Sequence, residues 1–385
     1  MMIYQSKQSN NVKKLLTSYQ KKSLQLKNHL VMAPMTRSRA IDNIPNSLMA
    51  AYYGQRTGAG LIITEGTAIL PEALGYARIP GIFNEEHVRG WKEVTARVHK
   101  DNSKIFLQLM HTGRIGHPDN LPPGVRLVGV SDKKAAGQIF TDTAGLQDHP
   151  SPEALSTADV YMVIEAHVQA ARNAMEAGFD GVELHGANGY LIEQFLHPEV
   201  NNRTDAFGGS MERRCRFVLE VVEQTAKAIG KEKVGIRLSP FSTLGDLTPY
   251  AEADVNRTYL YLAEKLNALG IAYIHIALSP KIPPQTLHGI RSTFKETIIF
   301  CNGLTPESAE KILAEDSADL VAFGRLFAAN PDLDQRIEND VQLNQPDTAR
   351  LYTPGARGYL DYPKWSASLL QQSYSTHNSI ETVKN

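Results

Sequence analysis

Eight short apolar runs recur along the chain, separated by longer stretches of mixed polarity. They are LVMAPMT (residues 30–36), GLIITE (60–65), KIFLQLM (104–110), GVEL (181–184), KVGIRL (233–238), YIHIAL (273–278), TIIFCNG (297–303) and DLVAFG (319–324). Most are continuous rather than alternating, as expected of parallel strands buried on both faces. Helical periods fill the spaces between them. They cover residues 85–102, 163–178 with Gly178 as the stop, 210–230 capped by Ser210 or Gly209, and 253–270. A further helix starts at Thr305, where Pro306 and the acids Glu307 and Glu310 follow. Strand–helix units repeated in this way predict a (β/α)8 TIM barrel. An open, doubly wound sheet competes with it, but no GxGxxG follows the first strand.

The remaining segments decorate that barrel. Residues 15–28 precede the first strand and are expected to form a hairpin across the barrel's floor. Residues 112–159 are rich in Gly and Pro without a sustained helical period. They predict an elaborated loop after the third strand, with short strands inside. The expectation is a single domain over residues 1–385, with a core of about 24–363 and a disordered tail over 373–385.

Composition narrows the class. The chain has 385 residues, a formal net charge of −1 and 42% hydrophobic residues. That supports a large core and gives no electrostatic footprint for nucleic acid or a membrane surface. The first residues are polar and lack an apolar signal segment, and no apolar run approaches a membrane span. A cytoplasmic protein is expected. Cys215 and Cys301 have no metal-binding spacing, and neither a metal nor a disulfide is expected.

Candidate chemistry gathers where a barrel keeps its active site, at the C-terminal ends of the strands. Thr36 ends the first run, Gln108 lies late in the third, and His185 and Asn188 follow the fourth. Arg237 lies near the end of the fifth, Gly303 follows the seventh, and Gly324 and Arg325 follow the eighth. Backbone N–H groups and a guanidinium after the last two strands suit a phosphate-bearing ligand. HGANGY, residues 185–190, adds an imidazole, an amide and a phenol within six residues. The first two donate hydrogen bonds and the third delivers a proton. Taken singly, Arg237 also fits a strand-end ion pair, Gln108 a backbone partner in the barrel mouth, and His185 a satisfied core histidine.

The motifs MAPMTRSRA, GLIITEGT, LQLMHTGR, GFDGVELHGANGYLIEQFLHP, NNRTDAFGGSMERRCRF, GIRLSP and VAFGR together resemble the Old Yellow Enzyme family of flavin-dependent ene-reductases. The resemblance runs over about residues 24–363. It implies a barrel holding FMN non-covalently and reducing activated alkenes with NADPH or NADH. It places Thr36 near the flavin O4, with Pro34 and Met35 as backbone neighbours. A threonine here fits the branch distinct from the cysteine-bearing, thermophilic-like one. Gln108 falls at the pyrimidine edge, and Gly66 near the flavin. Arg237 falls near N1 and O2, where reduced flavin carries negative charge. Arg325, with the backbone of Gly303 and Gly324 and their neighbours Asn302 and Phe323, resembles the phosphate clamp.

By the same resemblance, His185 and Asn188 hold the substrate's electron-withdrawing oxygen. Three residues apart, they face one way if the segment makes a helical turn. His185 also borders the cofactor. Tyr190 resembles the proton donor to the α-carbon, and Tyr76 and Tyr359 resemble pocket-lining aromatics. The partners implied are an enone, maleimide or quinone-like alkene and a nicotinamide nucleotide, acting on a monomer or homodimer. A nitroester or nitroaromatic reductase on the same scaffold stays open. So does a non-redox lyase or isomerase binding a phosphorylated ligand. Three features depart from the family pattern. Met110 stands where most members have tryptophan, Gly66 where many have alanine, and residues 137–152 match poorly.

Overall fold

The computed structural model describes residues 13–365. All eight apolar runs form strands: β1 (Leu30–Met32), β2 (Leu61–Ile63), β3 (Lys104–Met110), β4 (Gly181–Gly186), β5 (Val234–Leu238), β6 (Tyr273–Ala277), β7 (Thr297–Cys301) and β8 (Leu320–Phe323). Each pairs in parallel with the next, and β8 pairs with β1, so the sheet closes into a (β/α)8 barrel. The ends differ from the sequence expectation. Strand β1 stops at Met32, so Thr36 lies beyond it rather than ending it, while β4 runs on through His185.

Closure divides the strand residues into two sets. One set points outward and joins the helices in the main apolar cluster, including Met32, Ile62, Leu107 and Leu184. The other points inward: Val31, Leu61, Ile63, Phe106, Tyr273, Ile299 and Leu320 form a second cluster. The antiparallel hairpin Tyr19–Lys21 with Leu24–Leu26 adds Tyr19, Leu24 and Leu26 to that inner cluster and plugs the floor. The barrel is therefore a filled core rather than a pore. Two residues further along β3, the inward position of Phe106 passes to Gln108. Tyr273 passes likewise to His275 on β6, and Gly235 to Arg237 on β5. The interior thus turns from apolar to polar towards the C-terminal mouth.

The helices cover the outside. They include α1 (Ser47–Gly54), α2 (Glu85–His99), α3 (Thr157–Glu176), α4 (Met211–Ile229), α5 (Glu252–Leu269), α6 (Pro284–Thr293), α7 (Pro306–Ala314) and α8 (Leu333–Glu338), and two short helices, Leu191–Leu196 and Arg325–Ala329, lie at the barrel mouth. Caps decide where several begin. Ser156 and Asp159 form a capping box, so α3 starts well before its apolar period becomes visible. Ser210 caps α4 by accepting from Arg213 N, and Thr305 with Ser308 boxes α7. Helix α1 is apolar almost all round, which leaves no amphipathic face to read.

The excursion after β3 contains the antiparallel pair Gln138–Thr141 with Gly145–Asp148. It also holds a short parallel pair, Val128–Gly129 with Glu153–Ala154. The C-terminal segment is irregular and is stapled back onto the β1 side. Arg37 donates to Gly358 O at 2.7 Å and to Leu351 O at 3.1 Å, and Arg39 donates to Arg350 O at 2.9 Å. The expected disordered stretch, 373–385, lies outside the described residues. Among those described, no helix is long and apolar enough to cross a membrane.

Candidate active site

A cavity of about 770 Å³ opens over the C-terminal mouth of the barrel. Its lining includes Pro34, Met35 and Thr36 after β1, Gln108 and Met110 on β3, His185, Asn188 and Tyr190 from β4 and its turn, and Arg237 on β5. Asn302 and Gly303 after β7, with Phe323, Gly324 and Arg325 at the end of β8, complete the ring. Residues scattered from 34 to 325 thus meet around one space.

The polar floor is oriented from below. Gln108 Nε2 donates to Glu183 Oε1 at 2.8 Å, so the amide oxygen of Gln108 is left as a free acceptor. The other Glu183 oxygen meets His275 Nδ1 at 2.8 Å. Arg237 Nη2 donates to Cys301 Sγ at 3.3 Å, and its buried Nε has no partner among the described residues. Burial works against that charge, but Cys301 and Glu183 beside it hold the Arg237 pKa above the usual guanidinium value. The barrel mouth therefore carries a fixed cation with donor capacity to spare.

At β7 and β8 the character changes. Asn302 and Gly303 both sit at positive φ, 78° and 67°, which turns the chain sharply after β7. A Cβ on Gly303 would meet nothing within 4 Å, so the backbone there is open to a ligand. Arg325 is exposed and forms no salt bridge among the described residues.

On the opposite side lies the HGANGY turn. It does not make the helical turn that would turn the two side chains the same way. His185 is the penultimate residue of β4, and Asn188 and Gly189 follow in left-handed conformations with φ of 60° and 80°. A Cβ on Gly189 would fall 2.3 Å from Leu244 O, so glycine is required by space as well as by φ. Asn188 N donates to Ser239 Oγ at 2.8 Å, while its side-chain amide has no partner among the described residues. His185 Nδ1 accepts from Ala187 N at 3.3 Å, which leaves the proton on Nε2. Burial, then Arg237, holds its pKa well below the usual imidazole range, so the ring is a neutral donor. The Tyr190 ring stands edge-on to His185 at 4.8 Å, and its hydroxyl donates to Tyr76 Oη at 3.1 Å. Burial, then Tyr76, pushes Tyr190 well above the usual phenol range, so it keeps its proton.

Three expected residues lie elsewhere. Gly66 sits beneath the lining, where a Cβ would come 2.5 Å from Met110 Sδ. Tyr76 borders an adjoining cavity of about 630 Å³ that shares Thr36, Tyr190 and Tyr352 with the first. Tyr359 is not on either cavity. It is fully buried, stacked on Tyr52 at 4.0 Å, with the Arg37 and Arg39 guanidinium groups 5.1 Å and 4.8 Å from its ring centre. The arginines that staple the C-terminal segment draw Tyr359 inward and leave Tyr352 on the cavity wall. Sequence reading missed Tyr352, Ser239 and Glu193. Glu193 and Ser239 lie inside the quoted motifs GFDGVELHGANGYLIEQFLHP and GIRLSP but drew no role from them, and Tyr352 lies in no quoted motif.

The family model described as NADH:flavin oxidoreductase / NADH oxidase matches residues 14–344. The chain belongs to that family. As a member of the NADH:flavin oxidoreductase / NADH oxidase family, it is similar to 12-oxophytodienoate reductase 1 of Oryza sativa subsp. japonica, with 41% identity over 360 residues, 91% of this chain and 92% of the relative. It is 39% identical to 12-oxophytodienoate reductase 2 of Arabidopsis thaliana over 362 residues, 91% and 95% of the two chains. Morphinone reductase superposes with a TM-score of 0.88 at 41% identity, covering 92% of this chain and 97% of the other. A morphinone reductase complex with tetrahydroNAD matches at the same TM-score, 0.88, and 42% identity over 92% and 98%.

This family member is an enzyme that uses FMN with a nicotinamide nucleotide. The residues present suit FMN. Gln108 offers a free acceptor, Arg237 offers a buried cation with an unpartnered Nε, and the open backbone at Gly303 and the unpaired Arg325 suit a phosphate.

Proposed function

We propose that this protein reduces the activated C=C bond of an enone, maleimide or quinone-like compound at the expense of NADPH or NADH. The observation that carries this reading is the placement of a neutral imidazole donor, a free amide and a protonated phenol on one turn. That turn faces the same cavity as Gln108 and Arg237. FMN held in this cavity would supply the hydride chemistry that links the nicotinamide nucleotide to the alkene.

Each side chain then has a task. His185 Nε2–H and the Asn188 amide donate to the substrate's carbonyl oxygen. Negative charge grows on that oxygen as the β-carbon is attacked, so these bonds strengthen in the transition state. Tyr190 Oη, which donates to Tyr76 Oη in the free protein, turns its proton to the α-carbon, and the Tyr76 hydroxyl beside it can then donate to the phenolate oxygen left behind. Gln108 and Arg237 would hold and polarise the pyrimidine part of FMN, Thr36 would border it, and Arg325 with Gly303 and Gly324 would hold its phosphate. The reductase names borne by the relatives support the direction of electron flow. A reducing, cytoplasmic setting fits two cysteines that are both free and buried.

Rapid mixing tests the reading. The purified protein should be yellow, be bleached by NADPH or NADH, and be reoxidised by a small enone without oxygen. A colourless protein that takes up no flavin would sink it. Reoxidation by a nitro compound but by no enone would transfer the activity to that substrate class.

A further inference from the structure

Behind the HGANGY turn lies a buried carboxyl group that the reaction does not use. Glu193 belongs to the short helix Leu191–Leu196 that starts directly after Tyr190, and it is only 3% exposed. Its Oε2 accepts from Gly189 N at 2.6 Å. Its Oε1 accepts from Ser239 Oγ at 2.7 Å and from Tyr259 Oη at 3.0 Å. Ser239 Oγ in turn accepts from Asn188 N at 2.8 Å. One carboxyl group therefore controls both N–H groups of the left-handed pair, one directly and one through a hydroxyl. The neighbouring Gln194 holds the next peptide group, donating to Gly189 O at 2.8 Å.

We propose that Glu193 is a positioning residue for the reduction: through Gly189 and Ser239 it sets where the Asn188 amide and the Tyr190 phenol stand relative to the substrate oxygen. The assignment rests on the ene-reductase reading above. Gly189 takes positive φ freely, but Asn188 beside it is held there where the surroundings fix it. Here the surroundings are Glu193 beneath and the Leu244 carbonyl alongside. The same carboxyl group also links the turn to the barrel. Ser239 follows Arg237 by two positions, and Tyr259 stands on α5. The oxygen-binding turn is thus registered to the strand that bears the site's cation. Burial pushes the Glu193 carboxyl up to about 7. Its neutral form still offers an oxygen to Gly189 N–H, and a glutamine does the same while its NH₂ donates to Ser239 Oγ.

The test uses the FMN-loaded full chain, with a simple phenol as the oxygen-ligand probe followed by flavin absorbance, and reoxidation by an enone. Glu193→Ala should weaken phenol binding about 10- to 100-fold, as several hydrogen bonds are lost together. It should slow reoxidation in step, with FMN content retained. Glu193→Gln should return phenol binding to within about threefold of the parent. Ser239→Ala, which removes the acceptor of Asn188 N–H, should give an intermediate loss of about 3- to 10-fold. If Glu193→Ala does not fold, Ser239→Ala decides alone, and unchanged phenol affinity in that variant overturns the proposal. Parallel loss of FMN and phenol in both alanine variants also overturns it, because a role in the fold alone moves both. If the parent protein neither binds the phenol nor is reoxidised by the enone, the ene-reductase reading falls. If the parent does both and the variants match it, only the Glu193 assignment falls.

Discussion

On one side of the cavity, Gln108 and Arg237 stand on barrel strands, buried, with their side chains held by Glu183 and Cys301. On the other side, the space beyond Tyr190 is walled by the 138–142 hairpin and by residues 349–354, where Tyr352 is 60% exposed. The cofactor side thus rests on strand register, which backbone pairing between neighbouring barrel strands sets and which tolerates little change. The far wall rests on long-range staples, chiefly Arg37 and Arg39 gripping the carbonyls of residues 350, 351 and 358. The HGANGY turn stands between the two, one end continuous with β4 and the other hung from Glu193. On the proposed reading, electron chemistry is built into the scaffold, and substrate choice is left to segments that can vary without disturbing it.

Changes on the two sides should separate the half-reactions. Tyr190→Phe is expected to slow alkene-dependent reoxidation most, by roughly 10²–10⁴-fold, the usual value of a positioned acid. Stopped-flow reduction of the flavin by NADPH should show no comparable loss. Because burial and Tyr76 raise the Tyr190 pKa, its proton is present throughout the neutral range. Because burial and Arg237 lower that of His185, the imidazole stays neutral there. The alkene step should therefore show no titration by either group between about pH 6.5 and 9. A rate that falls as pH rises through about 8 would contradict the Tyr190 assignment.

Arg237→Met attacks the strand side. It should slow reduction and reoxidation alike by about 10²–10³-fold, or release FMN, as expected when a preorganised charge is removed. Equal sparing of the first half-reaction would break the comparison. His185→Ala combined with Asn188→Ala should weaken phenolic ligands and slow the alkene step by about 10²-fold, more than it slows flavin reduction. Equal slowing of both would count against an oxygen-binding pair.

The smallest effects sharpen the outer wall. Tyr352→Ala should change KM for bulky alkenes by about 3- to 10-fold, with small enones little affected. Tyr359→Phe should leave kinetics alone and shift stability by no more than about 0.5 kcal/mol, since its hydroxyl has no partner. Thermal unfolding with steady-state kinetics on both variants checks this. A larger kinetic effect at Tyr359 than at Tyr352 would reverse the placement found here.

Gly66 and Met110, two positions expected to depart from the family pattern, lie against each other. Met110 Sδ occupies the space where a Cβ on residue 66 would lie, so Gly66 and Met110 are packed as a pair. Alanine at 66 requires Met110 to move, and a flexible thioether can do so more cheaply than a rigid ring. Nothing in either motif alone shows that link.

How far the sequence could be read depended on the range of the interactions involved. Continuous apolar runs announced all eight strands, because a parallel strand buried on both faces has no polar side to hide the signal. Once the runs were ordered, the barrel brought Gln108, His185, Arg237 and Arg325 to one rim without further information. Helix α1 and the start of α3 escaped, one for want of a polar face and the other because its first turn is set by the Ser156 cap. Tyr359 was misplaced for a related reason. Two tyrosines near the C-terminus look alike in sequence, and only the Arg37 and Arg39 staples decide which is buried. Glu193 reads as an ordinary residue of LIEQFL, and its partners Gly189, Ser239 and Tyr259 span three elements of the fold.

The sequence by itself determined the barrel and the residues at the strand ends, since both follow from local pattern and the fixed geometry of a closed parallel sheet. Tertiary structure alone decided the left-handed turn at Asn188, the tautomer of His185, the pairing of Gly66 with Met110 and the choice of Tyr352 over Tyr359. Each of these depends on contacts between residues distant in the chain, or on a backbone conformation that those contacts hold in place.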